Sequence, residues 1–212
     1  MRLRKIKYLL PAIIILLILL RFYLGEKPAE IADGQIRVIR IIDGDTVDLT
    51  GGRTVRLLGI DCPEKGEPFA DSAGAFLTRL ALGKTVSLKY SKRKKDNYDR
   101  LLAYLYTDSV WLNRELLRQG LAGLYLFEDN LPDKEIVAQL LAAQNEAMDH
   151  HRGIWTIPHQ KEDFYLSKKG SLRFHRPSCD EVRKFRPGEI IRFAAREEAL
   201  RQGLSPCRNC HP

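Results

Sequence analysis

A row of short strand-forming segments, separated by turn signals, is the feature that most restricts the fold of this chain. Ile, Val and Leu concentrate in five stretches, which are residues 35–42, 46–49, 54–58, 85–90 and 101–106. Asp43-Gly44 and Gly51-Gly52, between the first three stretches, are dipeptides typical of tight hairpin turns. Strands of this length are stable only when several of them pair in one sheet. We therefore predict a five-stranded sheet at the centre of the fold.

Helical periodicity appears in three other stretches, which are residues 69–82, 111–119 and 132–151. A glycine follows each of the first two, as is typical of a helix C-terminus. The charged residues 91–100 are predicted to form a loop. Five strands with a helix between the third and the fourth are typical of a small Greek-key barrel of the OB type. The predicted fold is therefore mainly β, with about three helices around the barrel.

An uninterrupted apolar run, YLLPAIIILLILL, occupies residues 8–20, with Lys5 and Lys7 before it and Arg21 after it. The segment 1–24 is predicted to be a transmembrane anchor, with a cleaved signal peptide as the alternative. Basic residues before the run favour a cytoplasmic N-terminus. The rest of the chain is then expected to face the periplasm or the cell exterior, either as a single-pass membrane protein or, after cleavage, as a secreted one.

Charge divides the chain into three parts. Residues 1–24 hold five basic and no acidic residues, and residues 167–212 hold eleven basic and five acidic residues. Because the whole chain carries +8, the part between them carries a net charge of −3. Net charge alone therefore does not identify a nucleic-acid-binding protein. We predict a polar linker at 25–34, a main domain at 35–160 and a small module at 167–212.

Three short motifs place acidic residues and arginines in the main domain: DGDTV at 43–47, RLLGIDCPE at 56–64 and DNYDR at 96–100. Asp45 and Asp61 supply oxygen ligands of the kind that Ca²⁺ prefers, and Glu64 follows closely. Arg56 and Arg100 carry guanidinium groups that match phosphate oxygens. These groups together suit phosphodiester hydrolysis. Taken singly, the motifs would also suit a hairpin turn, a strand that runs into a loop, and a solvated surface loop.

Residues 35–155 resemble the staphylococcal nuclease, or thermonuclease, family. The resemblance rests on VIRIIDGDTVDL, VRLLGIDCPE, DNYDRLLAYLY, LNRELLRQGLA and HHRGIW, in that order. It implies an OB barrel and a Ca²⁺-dependent nuclease that acts on DNA and RNA and leaves 3′-phosphate ends. The rival hypothesis is a membrane-tethered nucleic-acid-binding protein without catalysis, and a third is an interaction scaffold.

By this resemblance, Asp45 and Asp61 match the calcium-binding aspartates of the family, and Cys62 matches the residue that lends its backbone carbonyl to the ion. Glu64 matches the glutamate that positions or deprotonates the attacking water. Arg56 and Arg100 match the arginines that hold the phosphate and stabilise the transition state.

The nucleotide pocket matches less well. Tyr98 falls on a tyrosine that lines this pocket in the family, whereas Tyr125 fits a second one only with a one-residue deletion. Asn97 stands in place of a lysine, and Asp99 stands in place of the glycine before the arginine. These departures concern the affinity for the nucleotide and leave the reacting groups in place.

The module at 167–212 carries paired metal-ligand residues. They are His175 with Cys179, and Cys207 with Cys210 after a gap of 27 residues. Such pairs are typical of a structural Zn²⁺ site, and 46 residues are too few for an independent core. A Cys207–Cys210 disulfide, and His211 as the fourth ligand, are open alternatives. Residues 189–193 are predicted to form a strand, and residues 194–203 a helix.

This module resembles the zinc-binding domain of the Ada DNA-repair protein, in which four cysteines bind the ion. His175 stands where Ada has the cysteine that accepts a methyl group. The resemblance therefore implies one structural Zn²⁺ and no methyl transfer. The basic charge of the module could bind a phosphate backbone, with a solvated surface as the alternative. The expected partners are nucleic acid and a membrane, and no protein partner can be inferred.

Overall fold

The structure is a computed structural model that describes residues 36–108 and 110–212. Within these residues, β strands dominate, and they form three open sheets accompanied by four α-helices. No helix in this part of the chain has the length and apolar character needed to cross a membrane. The predicted anchor and linker lie outside the described residues.

The main domain contains eight strands and three helices: β1 (Val38–Ile41), β2 (Thr46–Leu49), β3 (Arg53–Leu57), β4 (Gly59–Asp61), α1 (Ala70–Ala81), β5 (Ser87–Lys95), β6 (Leu101–Thr107), β7 (Val110–Trp111), α2 (Leu112–Arg118), β8 (Gly123–Tyr125) and α3 (Lys134–Asp149). The largest sheet has the order β1-β2-β3-β6-β5, and β7 pairs with β6. It contains the five strands that the sequence predicts. The pairing of β3 with β6 is parallel, whereas the hairpin pairs are antiparallel.

Alternation along β2 and β3 explains why this sheet has one buried face. Val47, Leu49, Val55 and Leu57 are fully buried, whereas Asp48 between them pairs with Arg40 at 2.6 Å. A period of two turns alternate side chains to the same face. The N–H of Val38 in β1 also donates to the carbonyl of Lys84, just before β5, at 3.1 Å, so the two edges of the open sheet curve toward each other. The buried side chains therefore lie inside a curved sheet.

The prediction of a loop over residues 91–100 was wrong for its first half, because β5 continues to Lys95. The buried side chain of Asn130 forms the backbone hydrogen bonds with β5 that a neighbouring strand would otherwise form. Its Oδ1 accepts the N–H of Arg93 at 2.8 Å, and its Nδ2 donates to the carbonyl of Arg93 at 3.2 Å. Long basic side chains can reach solvent from such a strand. The pairing of β5 with β6 is irregular between Tyr90 and Lys95, and the turn before β6 follows it.

A second sheet, which the sequence pattern did not indicate, pairs β4 with β8. Gly59 separates β3 from β4 with a φ of 77°, in the left-handed region that glycine adopts without a steric cost. A Cβ atom on Gly59 would also lie 2.8 Å from Leu140 Cδ1. This bend ends β3, and the residues after it pair with β8. Strands of three residues are too short to show alternation.

The C-terminal module has the elements β9 (Tyr165–Lys168), β10 (Arg173–His175), β11 (Ile190–Phe193), α4 (Arg196–Arg201) and β12 (Ser205–Pro206). Its sheet has the order β11-β9-β10-β12. The buried residues Tyr165, Phe174, Phe193 and Leu200 share one core with Met148 of α3. Side-chain hydrogen bonds extend this contact: Ser205 Oγ donates to the carbonyl of Leu124 at 2.7 Å, and Gln144 Nε2 to that of Leu200 at 3.2 Å. The module therefore packs on α3 and β8.

Candidate active site and metal centre

Arg56 on β3 forms an ion pair with one aspartate from each of the first two motifs. Its Nε lies 3.0 Å from Asp45 Oδ1, and its Nη2 lies 2.8 Å from Asp61 Oδ1. Its Nη1 donates to the carbonyl oxygens of Leu57 and Ile60 at 2.7 and 2.9 Å. The side chain is only 14% exposed. Arg56 therefore holds two carboxylates together from a nearly buried position.

Asp45 is fixed in the turn between β1 and β2. Its backbone N–H donates to Asp43 Oδ1 at 2.9 Å, and its Oδ2 accepts the N–H of Cys62, also at 2.9 Å. Gly44 packs so closely on Cys62 that a Cβ atom would lie 2.8 Å from the Cβ of the cysteine. Only glycine fits this contact. In the DGD sequence, packing therefore requires the glycine, and the proposed chemistry requires aspartate.

The surroundings of Asp45 favour a bound cation. Burial raises the pKa of Asp45 to about 6, although the positive charge of Arg56 acts to lower it. A carboxylate in this state gains from any further positive charge that can reach it. Asp45 and Asp61 are hard oxygen donors that one guanidinium brings together. This donor set fits Ca²⁺, which binds carboxylate and carbonyl oxygens.

Glu64 lies on an exposed turn just after β4. The turn is closed by its backbone groups, because the N–H of Glu64 donates to Glu67 Oε2 at 2.7 Å and its carbonyl accepts the N–H of Glu67 at 2.9 Å. Asp61 and Glu64 both line a cavity of about 620 Å³, together with Tyr125 and with Arg208 of the module. A cavity of this size is in the range of small-ligand sites.

The third motif forms the turn between β5 and β6. Asp96 Oδ1 accepts the backbone N–H groups of Tyr98 and Arg100 at 2.9 and 3.0 Å, and Asp96 Oδ2 accepts Arg100 Nε at 2.7 Å. Asp99 has a φ of 62°, which is the left-handed conformation that aspartate tolerates and glycine prefers. The backbone at position 99 therefore has a conformation that glycine prefers, although the residue there is an aspartate.

Arg100 contacts Asp96 rather than the Asp45–Asp61 pair, and its Cζ lies 5.5 Å from the ring centre of Tyr98, which is 82% exposed. The parallel pairing of β3 with β6 sets Leu101 opposite Val55. Arg100 and Arg56 are the sequence neighbours of these two residues. The structure thus places both arginines on adjacent parts of the sheet, with separate acidic partners.

Tyr125, the second predicted pocket residue, is covered by two arginines of the module. The Cζ atoms of Arg173 and Arg208 lie 3.8 and 4.4 Å from the centre of its ring. Phe127 packs edge-on at 5.1 Å. In this arrangement Tyr125 supports guanidinium groups instead of presenting an open ring to a base.

Arg208 contacts Asp61, one of the predicted calcium ligands, although sequence reasoning did not single it out. Its Nη2 lies 2.9 Å from Asp61 Oδ1 and 2.8 Å from Asp61 Oδ2. The signal in the sequence was its position between Cys207 and Cys210. A residue held between two predicted metal ligands has a fixed backbone, and an arginine there can present a fixed positive charge.

His175, Cys179, Cys207 and Cys210 come together as the sequence pattern predicts. Their ligand atoms all lie within 4.8 Å of one another, and all four cysteines of the chain are free, so no disulfide joins Cys207 to Cys210. Burial lowers the pKa of His175, which favours the neutral imidazole that binds metals. His211 is not a member of this group of the described residues.

Backbone N–H groups point at two of the sulfur atoms. The N–H of Arg176 lies 3.4 Å from Cys210 Sγ, and that of Asn209 lies 3.4 Å from Cys207 Sγ. Burial raises the pKa of Cys210 to about 12, although the hydrogen bond from the N–H of Arg176 acts to lower it. Three sulfur atoms and one nitrogen form the donor set that tetrahedral Zn²⁺ prefers. The residues therefore fit a zinc ion.

Comparison with known proteins agrees with this geometry. A family model described as staphylococcal nuclease homologue matches residues 54–157. A thermonuclease from Staphylococcus hyicus is 34% identical over 129 residues, which are 57% of this chain and 75% of that protein. A micrococcal nuclease from Shigella flexneri is 30% identical over 143 residues, which are 62% and 79% of the two chains.

A further relative, from Escherichia coli, is described as an uncharacterized endonuclease. It is 32% identical over 138 residues, which are 63% of this chain and 85% of the relative. The region that the family model matches contains Arg56, Asp61, Glu64 and Arg100, whereas Asp45 lies before it and the zinc-type cluster lies after it. The chain therefore belongs to the staphylococcal nuclease family, and it is a hydrolase that cleaves nucleic acid.

Proposed function

We propose that this nuclease is a Ca²⁺-dependent endonuclease that cleaves DNA, RNA or both and leaves 3′-phosphate ends. We also propose that its main domain has a fold of the OB type. The observation that carries the proposal is the pair Asp45 and Asp61, held by Arg56 next to the cavity that Glu64 lines. Asp45, Asp61 and the carbonyl of Cys62 would hold the ion. Bound Ca²⁺ would neutralise charge on the reacting phosphate.

Side chains of the protein would transfer the proton and bind the phosphate. Glu64 would take a proton from the attacking water, whose oxygen forms the new bond to phosphorus. The bond from phosphorus to the 5′ oxygen breaks, so the phosphate stays on the 3′ side and the departing oxygen gains a proton. Arg56 and Arg100 would donate hydrogen bonds to the phosphate oxygens as negative charge builds up on them. Tyr98, exposed beside Arg100, would support the neighbouring nucleotide.

A plasmid-nicking assay on the purified full chain tests this function. We expect nicking in Ca²⁺ and its loss when EDTA removes the ion, because the carboxylates of Asp45 and Asp61 are themselves negative and repel the reacting phosphate unless a cation lies between them. Parallel reactions in Mg²⁺ test the choice of ion, and end-labelling of the products tests the 3′-phosphate. A salt-sensitive gel shift without nicking in Ca²⁺ would instead support a non-catalytic nucleic-acid-binding protein.

We also propose that the module binds one structural Zn²⁺ through His175, Cys179, Cys207 and Cys210, in the manner of the Ada zinc domain. The convergence of the four ligand atoms supports this assignment. A structural ion replaces part of the core that a short segment lacks. Because His175 replaces the methyl-accepting cysteine, the proposed role of this site is to hold the fold.

We propose that the apolar run at residues 8–20 tethers the nuclease to the cell membrane, with the enzyme facing the periplasm or exterior. The run itself and its basic flanks support this proposal. After cell fractionation, the chain is expected in the membrane pellet at its full mass. A shorter chain in the soluble fraction would indicate a cleaved signal peptide, and a full-length soluble chain would contradict both alternatives.

A further inference from the structure

Arg208 of the C-terminal module enters the nuclease site from outside the region that the family model matches. Its guanidinium contacts both oxygens of Asp61 and lies over the ring of Tyr125. It also lines the cavity that Asp61 and Glu64 share, while 59% of its side chain stays exposed. The module thus contributes a positive charge to the place where the main domain keeps its acidic residues.

The backbone that carries Arg208 is held on both sides. The N–H of Cys207 donates to the carbonyl of Phe174, and the carbonyl of Cys207 accepts the N–H of His211, both at 2.9 Å. Asn209 donates its N–H to Cys207 Sγ. Two candidate metal ligands therefore flank the arginine in a short, bonded turn. A group held in this way loses little further entropy when it binds a ligand.

Arg208 is not needed to attach the module to the main domain. Other hydrogen bonds already do this, including those from Ser205 to the carbonyl of Leu124 and from Arg173 to the carbonyl of Leu126, both at 2.7 Å. These bonds lie in the buried or half-buried part of the contact, whereas Arg208 is largely exposed. Exposed ion pairs contribute little to stability. The position of Arg208 therefore points to a role toward a ligand.

We propose that Arg208 is a substrate-binding residue, which holds a phosphate of the nucleic acid beside the catalytic carboxylates; this rests on the proposed function. Asp61 already accepts Arg56 at 2.8 Å, and both of its oxygens contact Arg208. A cation on Asp61 competes for those oxygens and repels the guanidinium. Tyr125 keeps the guanidinium in the cavity, where an incoming phosphate is a fitting bidentate partner.

The test measures binding of a fluorescent single-stranded oligonucleotide by anisotropy, with the full chain in saturating Ca²⁺. Glu64→Gln serves as the background, so that bound substrate stays intact. We expect Arg208→Ala to weaken binding on the order of 10-fold, the usual effect of losing a charge-assisted hydrogen bond. The slope of log Kd against log salt should fall by about 0.7, as for one lost phosphate contact on a single strand.

Arg183→Ala is the matched control, because it also removes an arginine from the module, at a site that is 81% exposed and paired with Asp180. We expect its effect on Kd to stay within about 2-fold. Arg208→Lys should restore part of the affinity, since it keeps the charge and loses the bidentate fork. With Glu64 intact, Arg208→Ala should raise KM and change kcat by less than about 3-fold, as expected when a uniform binding contact is removed.

An unchanged Kd and salt slope in Arg208→Ala would overturn the proposal. Tighter binding or faster cleavage in Arg208→Ala would also overturn the proposal, because Arg208 would then block Asp61 and inhibit the site. Equal metal content in Arg208→Ala and in the parent shows that the module is folded in the variant. If Arg208→Ala loses its metal, the affinity of Arg208→Lys for the oligonucleotide tests the proposal instead. If the parent chain fails to nick plasmid while Arg208→Ala still weakens binding, the proposed function fails and the assignment of Arg208 stands.

Discussion

Replacement of Glu64 with glutamine is expected to lower the rate of plasmid nicking by about 10²- to 10⁴-fold, the usual contribution of a general base. An amide of the same shape cannot accept the proton of the attacking water. The fold should not change, because the turn around Glu64 is held by its backbone N–H and carbonyl rather than by its carboxylate. Initial rates in saturating Ca²⁺ and a thermal unfolding curve measure the two effects.

Glu67→Gln is the matched control for this experiment. Glu67 lines the same cavity, and its glutamine can still accept the N–H of Glu64 through an amide oxygen. We expect it to retain activity within about 3-fold, since surface carboxylates away from the reacting atoms contribute little. Near-normal activity of Glu64→Gln would refute the site. An equal loss in both variants would indicate a general effect of negative charge in the cavity.

Arg56→Ala is a poorer test of catalysis. Arg56 is nearly buried and supports Asp45, Asp61 and two backbone carbonyls. Its removal would leave the buried carboxylate of Asp45 without its counter-charge, which destabilises a fold strongly. Lost activity in this variant would therefore combine a chemical effect with a structural one.

The second large effect is expected in the module. His175→Ala should reduce bound zinc from one equivalent to a small fraction and should unfold β9–β12, because the free energy of structural zinc binding, about 10–16 kcal/mol, exceeds what a small segment gains by burial. The loss should extend into α3, since Met148 belongs to the core of the module and Gln144 bonds the carbonyl of Leu200. Metal analysis and hydrogen exchange over 165–212 measure both.

His211→Ala is the control in this case. His211 follows Cys210 directly but is not one of the four converging residues, so its loss should leave the zinc content unchanged. Freshly reduced parent protein with less than about half an equivalent of zinc would contradict the metal assignment. Zinc loss in His211→Ala with retention in His175→Ala would exchange the roles of the two histidines.

The parts of this structure that the sequence predicted are those with a local signal. Alternation along β2 and β3 and the glycines between the strands define the first hairpins, because pairing within a hairpin depends on neighbouring residues. Asp45, Asp61 and Glu64, the proposed calcium-binding and catalytic residues, were singled out by short motifs and by the family resemblance. The zinc-type cluster follows from the spacing of its ligands.

The parts that the sequence did not predict depend on distant contacts. The second half of β5 is a strand because Asn130, 37 residues away, bonds the backbone of Arg93. The β4–β8 pair joins segments of three residues, which carry no periodic pattern. Arg208 and Asp61 are 147 residues apart, and only the packing of the module on the main domain brings them together. No window of neighbouring residues contains this information.

The close packing of Gly44 on Cys62 has a consequence for the redox chemistry of the chain. Burial, assisted by the negative charge of Asp45, raises the pKa of the Cys62 thiol well above its ordinary value. Thiol–disulfide exchange needs a thiolate and an open path for the attacking sulfur. Cys62 has neither, whereas the other three cysteines converge with His175 at one centre. In an oxidising environment, the chain can therefore keep an unpaired cysteine beside its proposed calcium ligands without cross-linking it to the module.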